Sequence, residues 1–174
     1  DTKQKDLQGL TFYEPCVGSG VFVIAYLDEV LDRMGNYSPK IIQGIVDKIY
    51  FSDIDGEAVD LFIQLLPLYI KAKYNSSIKI NRKNFFKGDV LFENHNEEIR
   101  KVNPKEIFGV TGGFDVVLTN PPYKLLKANS DKYMDELLEN KYALNIKKVI
   151  EFIRKNNIYK LNQGTLNYYK IFLE

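Results

Sequence analysis

The chain has 174 residues, of which 45% are hydrophobic and 27% charged, and its formal net charge is +1. This length and composition indicate one globular domain with a real core, and the small net charge excludes a global field that steers the chain onto nucleic acid. A single cysteine and a single histidine exclude a disulfide framework and argue against a metal centre or a histidine-based triad. No apolar run approaches the ~20 residues of a membrane span, so we expect a cytoplasmic protein without a membrane partner.

The first half of the chain alternates predicted strands with predicted helices. Leu10–Glu14 predicts a strand, which Pro15 ends because proline cannot donate to a ladder. A glycine turn at Cys16–Gly20 leads into Val21–Met34, which has helical apolar spacing. The pattern continues with a loop at Gly35–Pro39, a helical turn at Lys40–Gly44, a strand at Lys48–Asp53 and a helix at Gly56–Tyr74 that Pro67 kinks or breaks.

The second half is less regular. Its predicted elements are a strand within Ile78–Phe86, a loop with a helical turn at Phe92–Pro104, a connector at Lys105–Gly113 and a buried strand at Phe114–Thr119. After these come a mobile segment at Lys124–Lys132, a helix in one or two pieces at Tyr133–Asn157, and a last helix at Leu166–Glu174 capped by Thr165. Alternating strands and helices predict an α/β fold with a parallel sheet and right-handed crossovers.

Polar side chains stand at the ends of the predicted strands. Glu14, Asp53 and Asn120 each close or follow a strand, and Asp89 follows the third strand. Because ligands of open α/β sheets bind outside the carboxyl ends of the strands, we expect these groups to form one site.

The turn from Glu14 to Gly20 has the character of a ligand-binding loop. Gly18 and Gly20 allow close approach of the backbone to a ligand. An NAD-type turn is one rival, but Val23 occupies the position of the third glycine in Gly-x-Gly-x-x-Gly, and a bare turn without a ligand is another. A carboxylate at Glu14 repels pyrophosphate and suits a ligand with a cationic or hydroxyl-rich end.

Asp53 can accept both hydroxyls of a ribose, or it can cap the following helix, for which Asp55 is the better candidate. Ile54 is placed to lie against a purine face. Asp89 can accept from the exocyclic amine of adenine, although Gly-Asp is also a common turn sequence.

The sequence Asn120-Pro121-Pro122-Tyr123 is the most specific signal. An aromatic amine is a poor nucleophile because its lone pair is delocalised into the ring. Two acceptors on its N–H groups, the Asn120 side-chain oxygen and the Pro121 carbonyl, favour a localised lone pair. The prolines fix the backbone, and Tyr123 offers a face for stacking a base, worth ~1–3 kcal/mol. The alternative is a proline turn in which Tyr123 only packs.

These residues together resemble the N6-adenine DNA methyltransferases of type II restriction–modification systems, in their γ-type arrangement. The acidic-Pro-x-x-Gly-x-Gly-x-Phe motif of that family matches Glu14, Pro15, Gly18, Gly20 and Phe22. Its acidic-Ile-Asp and Gly-Asp segments match Asp53-Ile54-Asp55 and Gly88-Asp89, its catalytic motif matches Asn120–Tyr123, and a weaker helical Tyr-x-x-Phe pattern matches Tyr169 and Phe172.

The resemblance implies a Rossmann-like fold, S-adenosylmethionine as the cofactor, and double-stranded DNA as the partner with its target adenine flipped out. The cofactor residues it implies are Glu14, Pro15, Gly18, Gly20, Phe22, Asp53, Ile54, Asp89 and Asn120, and the catalytic residues are Asn120, Pro121, Pro122 and Tyr123.

The family sheet has about seven strands, and four can be placed in this sequence. Family members also have a second aromatic residue beside the flipped base and a separate recognition domain, neither of which can be identified here. We therefore expect residues 1–174 to be a single fragment of a catalytic domain, with a cofactor half at 10–90, the catalytic strand and motif at 114–123 and a helical tail at 133–174. On this basis Tyr123 lacks a stacking partner in this chain.

Two alternative functions stay open. One is methylation of a release-factor glutamine amide or of RNA, since such enzymes share Asn-Pro-Pro-Tyr; Pro15, Ser19 and Phe22 favour DNA. The other is an inactive cofactor-binding module of a larger DNA-binding protein.

Three further features have structural interpretations. Cys16 is interpreted as a buried small residue, His95 as loop surface, and the basic residues Lys141, Lys147, Lys148, Arg154, Lys155 and Lys160 as a solvated helix face, with phosphate contact as the alternative.

Overall fold

A computed structural model describes residues 7–95, 98–123, 126, 136–159 and 166–172. The chain divides into two compact units. The first comprises the residues up to Val90 together with Asn103–Asn120, and the second comprises Leu91–Val102 with the residues from Pro121 onward. Among the described helices, none has both the length and the apolarity needed to cross a membrane.

The first unit is built on a four-stranded parallel sheet in the order β3-β2-β1-β6. Its strands are β1 (Phe12–Glu14), β2 (Ile49–Asp53), β3 (Phe85–Lys87) and β6 (Val116–Val117), while β4 (Phe92–His95) and β5 (Glu98–Lys101) belong to the second unit. This confirms the predicted α/β, Rossmann-like fold. The third strand lies at the very end of the range predicted for it, after a 3₁₀ turn at Arg82–Asn84.

Four helices flank this sheet: α1 (Val21–Met34), α2 (Pro39–Val46), α3 (Gly56–Tyr74) and α4 (Pro104–Phe108). The bounds of α1 and α3 are those predicted, and α3 runs through Pro67 without interruption. The single helical turn predicted at Lys40–Gly44 is wrong in extent. Ser38 caps α2 by accepting from the Ile41 amide, and Pro39 takes the first helical position, where a missing N–H removes no hydrogen bond.

Aromatic residues of the strands pack on opposite faces of the sheet. On one face the Phe51 ring lies edge-on to Phe62 of α3, with ring centroids 5.1 Å apart, inside a core that also buries Leu27 and Leu66. On the other face Tyr13 stacks on Phe114 at 4.6 Å. Because successive strand side chains alternate between the faces, β1 and β2 hold both layers in register.

The fourth strand of the sheet is an exposed edge, and the prediction of a buried strand at Phe114–Thr119 is wrong. The ladder covers only Val116–Val117, and the side chains of Val117 and Leu118 are 53% and 42% exposed. The reason is that β6 pairs with β1 alone among the described residues. Asp115 secures this edge by accepting hydrogen bonds from the backbone N–H and the hydroxyl of Thr11.

The second unit contains an antiparallel hairpin of β4 and β5 and the helices α5 (Glu136–Asn156) and α6 (Tyr168–Phe172). The loop predicted at Phe92–Pro104 is therefore wrong. Each hairpin strand buries a single apolar residue, Phe92 or Ile99, so the alternation was too short to be recognised. His95 lies in β4 and not in a loop.

Both predicted helices of the tail are confirmed over α5 and α6. The predictions for Lys124–Lys132, Leu126 aside, and for Thr165 lie outside the described residues.

Candidate active site

The turn after β1 uses its two glycines for different purposes. Both have left-handed backbone conformations, with φ of 47° at Gly18 and 77° at Gly20. A Cβ atom at Gly20 would lie 1.9 Å from the Phe62 ring, whereas a Cβ at Gly18 would meet nothing within 4 Å. Gly20 thus brings α1 close to α3, and the open space over Gly18 is where a ligand can approach the backbone.

Glu14 lies beneath this turn and is only 2% exposed. Its Oε2 accepts a hydrogen bond from the Val23 N–H at 3.2 Å, in the first turn of α1, where the N-cap Gly20 supplies no side-chain acceptor. The pKa of Glu14 is raised to about 8, mainly by burial, which outweighs the lowering effect of the Val23 hydrogen bond, with a smaller upward contribution from the Asp53 carboxylate. At pH 7 the free protein therefore holds this carboxyl mainly neutral, and a cation beside it would favour its ionised form.

Asp53 joins the ends of β1 and β2. Its Oδ2 accepts from the Gly18 N–H at 2.9 Å and its Oδ1 from the Asp55 N–H at 3.0 Å. The N-cap of α3 is Asp55, whose side chain accepts from the Glu57 and Ala58 N–H groups. The alternative that Asp53 caps this helix is therefore wrong. A carboxylate has about four acceptor positions, so Asp53 retains capacity for two further donors.

A third carboxylate lies at the same edge of the sheet. The Gly88 N–H donates to the Asp53 carbonyl at 2.9 Å, which brings the end of β3, and Asp89 after it, next to the end of β2. Burial is the main cause that raises the pKa of the Cys16 thiol, between these strand ends, to about 11. The backbone hydrogen bond from Gly88 places Asp53 and Asp89 at one edge of the sheet.

The backbone connects the first strand to the segment that precedes the predicted catalytic motif. The Leu118 N–H donates to the Tyr13 carbonyl at 3.2 Å, next to Glu14. The Cys16 thiol is half-buried, not buried as predicted, and its raised pKa keeps it protonated at neutral pH. Since Leu118 lies two residues before Asn120, the backbone contact places the start of the motif near the end of β1.

A buried hydroxyl network, which the sequence did not reveal, fixes the turn from below. The Ser52 hydroxyl donates to the carbonyl of the buried Pro15 and shares a hydrogen bond of 2.9 Å with the Tyr13 hydroxyl. The Val17 N–H donates to the Ser52 carbonyl at 2.8 Å. The only signal of this network in the sequence is a serine, Ser52, within a largely apolar strand.

Two apolar residues assigned to the cofactor differ in exposure. Ile54 is 73% exposed beside Asp53, so its face is open to a planar ligand. Phe22 is half-buried and packs against the core of the first unit. In this structure Phe22 therefore has a packing role.

The predicted catalytic motif begins at Asn120, an exposed residue that is the last of the first unit. In the second unit Pro121 is buried, Pro122 is exposed, and Tyr123 is 76% exposed. The Tyr123 ring lies nearly parallel to that of Tyr169, with an interplanar angle of 17° and centroids 6.1 Å apart. The expectation that Tyr123 has no stacking partner is therefore wrong.

The model of the Eco57I restriction-modification methylase family matches residues 47–174, well over half of the chain. The chain belongs to this methylase family. Membership implies DNA methylation in general terms, and such methylases generally use S-adenosylmethionine. Neither the comparison with curated proteins nor that with solved structures gives a match.

The matched range of this methylase contains part of the predicted site. Asp53, Asp89 and Asn120–Tyr123 lie inside it, whereas the glycine turn from Glu14 to Phe22 precedes it. The place of that turn in the site therefore rests on its hydrogen bond with Asp53 and on the backbone contact between Tyr13 and Leu118.

Proposed function

We propose that this methylase transfers a methyl group from S-adenosylmethionine to the N6 amine of adenine in DNA. The observation that carries the proposal is the arrangement at the carboxyl edge of the sheet. There Asp53 accepts from the Gly18 N–H, and the Gly88 N–H, next to Asp89, donates to the Asp53 carbonyl. The Leu118 N–H, two residues before Asn120, donates to the Tyr13 carbonyl next to Glu14.

The groups at this edge suit the parts of S-adenosylmethionine. Asp53 has free acceptor capacity for ribose hydroxyls, and the exposed Ile54 beside it offers a surface to the adenine ring. Asp89 is an acceptor for the exocyclic amine of that ring. The open space over Gly18 admits the ligand to the backbone, and Glu14 lies beneath this turn as a partner for an ammonium group. When bound, the cofactor supplies a methyl group activated by its sulfonium.

The chain's own part in the reaction is to prepare the amine. In this proposal the Asn120 side-chain oxygen and the Pro121 carbonyl accept from the two N–H groups of the target amine and localise its lone pair. Tyr123 stacks on the flipped base, and the Tyr169 ring that now lies against it must move or share that face. No strong general base is needed, because the nitrogen becomes cationic and strongly acidic once it receives the methyl group, and it then loses one N–H proton to water.

Family membership supports DNA over a release factor or RNA as the substrate. An inactive cofactor-binding module is the remaining competitor. Calorimetry with S-adenosylmethionine separates the two when it is combined with a transfer assay, since a module binds the cofactor without turnover.

The test of the proposal is Asn120→Ala in the full-length protein. We expect methyl transfer to DNA to fall by 10²-fold or more, because one acceptor of the amine is lost, while the Kd for S-adenosylmethionine stays within a few fold. Asn156→Ala is the matched control, since Asn156 is exposed and its side-chain amide donates to the Phe152 carbonyl of its own helix. Equal transfer rates in the two variants would refute the assignment.

A further inference from the structure

One face of α5 is fixed toward the interior of the second unit. Ile146, Val149 and Ile153 are buried and belong to one apolar cluster with Phe92 and Ile99 of the hairpin. These positions repeat at three and four residues, which is the spacing of a single helix face. The opposite face of α5 therefore points to solvent.

That outward face carries a row of cations. Lys147, Arg154 and Lys155 are exposed, and their spacings of seven and eight residues place them along the same side of the helix. Within the described part of the chain, no carboxylate lies in ion-pair distance of any of the three. The only acidic residue among them is Glu151, which is exposed and also lacks an ion pair within the described residues.

The small net charge of the chain conceals an uneven distribution. The second unit has twelve Lys and Arg residues and nine Asp and Glu residues, which gives it a net charge of +3. The first unit has twelve Lys and Arg residues and fourteen Asp and Glu residues, which gives it a net charge of −2. The excess of positive charge therefore lies in the second unit, whose helix α5 exposes Lys147, Arg154 and Lys155. A local patch of this kind can bind a polyanion where the global field cannot.

We propose that Lys147, Arg154 and Lys155 form a contact surface for the phosphate backbone of DNA. The identity of the partner rests on the proposed function; the surface itself rests on its charge and exposure. From Lys147 to Lys155 the helix rises about 12 Å, and phosphates of one strand follow each other at about 3.4 Å along the duplex axis. Three cations over this length therefore match about three phosphates of one strand.

The experiment compares the full-length protein with a variant carrying Lys147→Gln, Arg154→Gln and Lys155→Gln. Binding to a labelled duplex is followed by fluorescence anisotropy between 50 and 200 mM salt. Each phosphate contact contributes about 0.9 to the slope of log K against log salt, so the variant should lose about 2.7 of that slope. Three such contacts account for about a 40-fold change in affinity over this salt range.

Matched variants distinguish an effect of this particular surface from an effect of the protein's total charge. Lys40→Gln, Lys48→Gln and Lys83→Gln remove the same charge from exposed positions of the first unit and should leave the slope nearly unchanged. Arg154→Lys keeps the positive charge and should keep the slope. Glu151→Gln removes a negative charge, which repels phosphates, and should tighten binding to the duplex. Thermal melts establish that each variant is folded.

The surface proposal fails if the α5 variant keeps its slope within about one unit of the unmodified protein, or if the first-unit control loses as much. It also fails if the unmodified protein binds anionic vesicles but not the duplex. Failure of the proposed function is a separate result, since the α5 variant should keep its affinity for S-adenosylmethionine and its kcat at saturating DNA while its KM for DNA rises.

Discussion

Replacing Glu14 by glutamine should make the protein more stable in alkaline solution than the unmodified chain. Folding raises the pKa of this carboxyl from an ordinary 4.5 to about 8, mainly through burial. The folded state thus holds the proton more tightly than the unfolded state. Stability is greatest below pH 4.5, falls as the pH rises toward 8, and then levels off.

The size of the effect follows from the shift. One pKa unit corresponds to 1.36 kcal/mol, so the ionisation of Glu14 costs up to about 5 kcal/mol by pH 9. Glutamine removes that charge and still offers an oxygen to the Val23 N–H. We therefore expect the free energy of unfolding of Glu14→Gln to lie within about 1 kcal/mol of that of the unmodified protein near pH 5 and to exceed it by several kcal/mol at pH 9.

Urea unfolding at pH 5, 7 and 9 measures this difference directly. Glu57→Gln serves as the control, because Glu57 is an exposed glutamate at the start of α3. If the Glu14→Gln and unmodified curves run parallel across this range, the burial argument for Glu14 is wrong. Calorimetry with S-adenosylmethionine on the same samples then shows whether binding takes up the ionised form, since a cation next to Glu14 would release its proton.

Three further substitutions test the packing and the polar contacts of the first unit. Gly20→Ala should lower the free energy of unfolding by ~2–5 kcal/mol in urea titrations, because the added Cβ meets the Phe62 ring and the backbone φ is left-handed. Gly35 has a similar φ but open space around it, so Gly35→Ala should lose only ~1–2 kcal/mol, and equal losses would contradict the contact with Phe62. Asp28→Asn should lower the free energy of unfolding by ~1–3 kcal/mol, and with it the melting temperature, because Asp28 of α1 accepts hydrogen bonds from Tyr69, Lys73 and Tyr74 of α3. A loss no larger than that of Asp32→Asn would contradict the importance of these contacts. Asp53→Ala should weaken calorimetric binding of S-adenosylmethionine at least tenfold and also reduce stability, because it leaves the Gly18 and Asp55 N–H groups without their acceptor; unchanged binding would remove Asp53 from the cofactor site.

The sequence predicted long elements well and short ones poorly. The helical repeat of apolar residues extends over 14 residues in α1 and 19 residues in α3, so the bounds of both helices could be predicted correctly. The hairpin of β4 and β5 and the exposed edge at β6 were missed, because strands of two to four residues offer too few alternations. Whether a strand is central or at an edge depends on its neighbours, which local sequence does not contain.

The candidate site was predictable in composition but not in its internal contacts. Glu14, Asp53 and Asp89 could be assigned to one edge because parallel strands share a polarity. The hydrogen bond from Gly18 to Asp53, the neutral state of Glu14 and the pairing of Tyr123 with Tyr169 depend on tertiary distances. The choice between Asp53 and Asp55 as the helix cap was likewise decided by geometry.

The atom that receives the methyl group can be identified directly. Full-length protein is incubated with duplex DNA and S-adenosylmethionine labelled in its methyl group, and the DNA is digested to nucleosides and separated by mass spectrometry. We expect label in N6-methyladenine, and none with the Asn120→Ala variant. Label in a cytosine derivative, or tight cofactor binding with no labelled nucleoside, would contradict it.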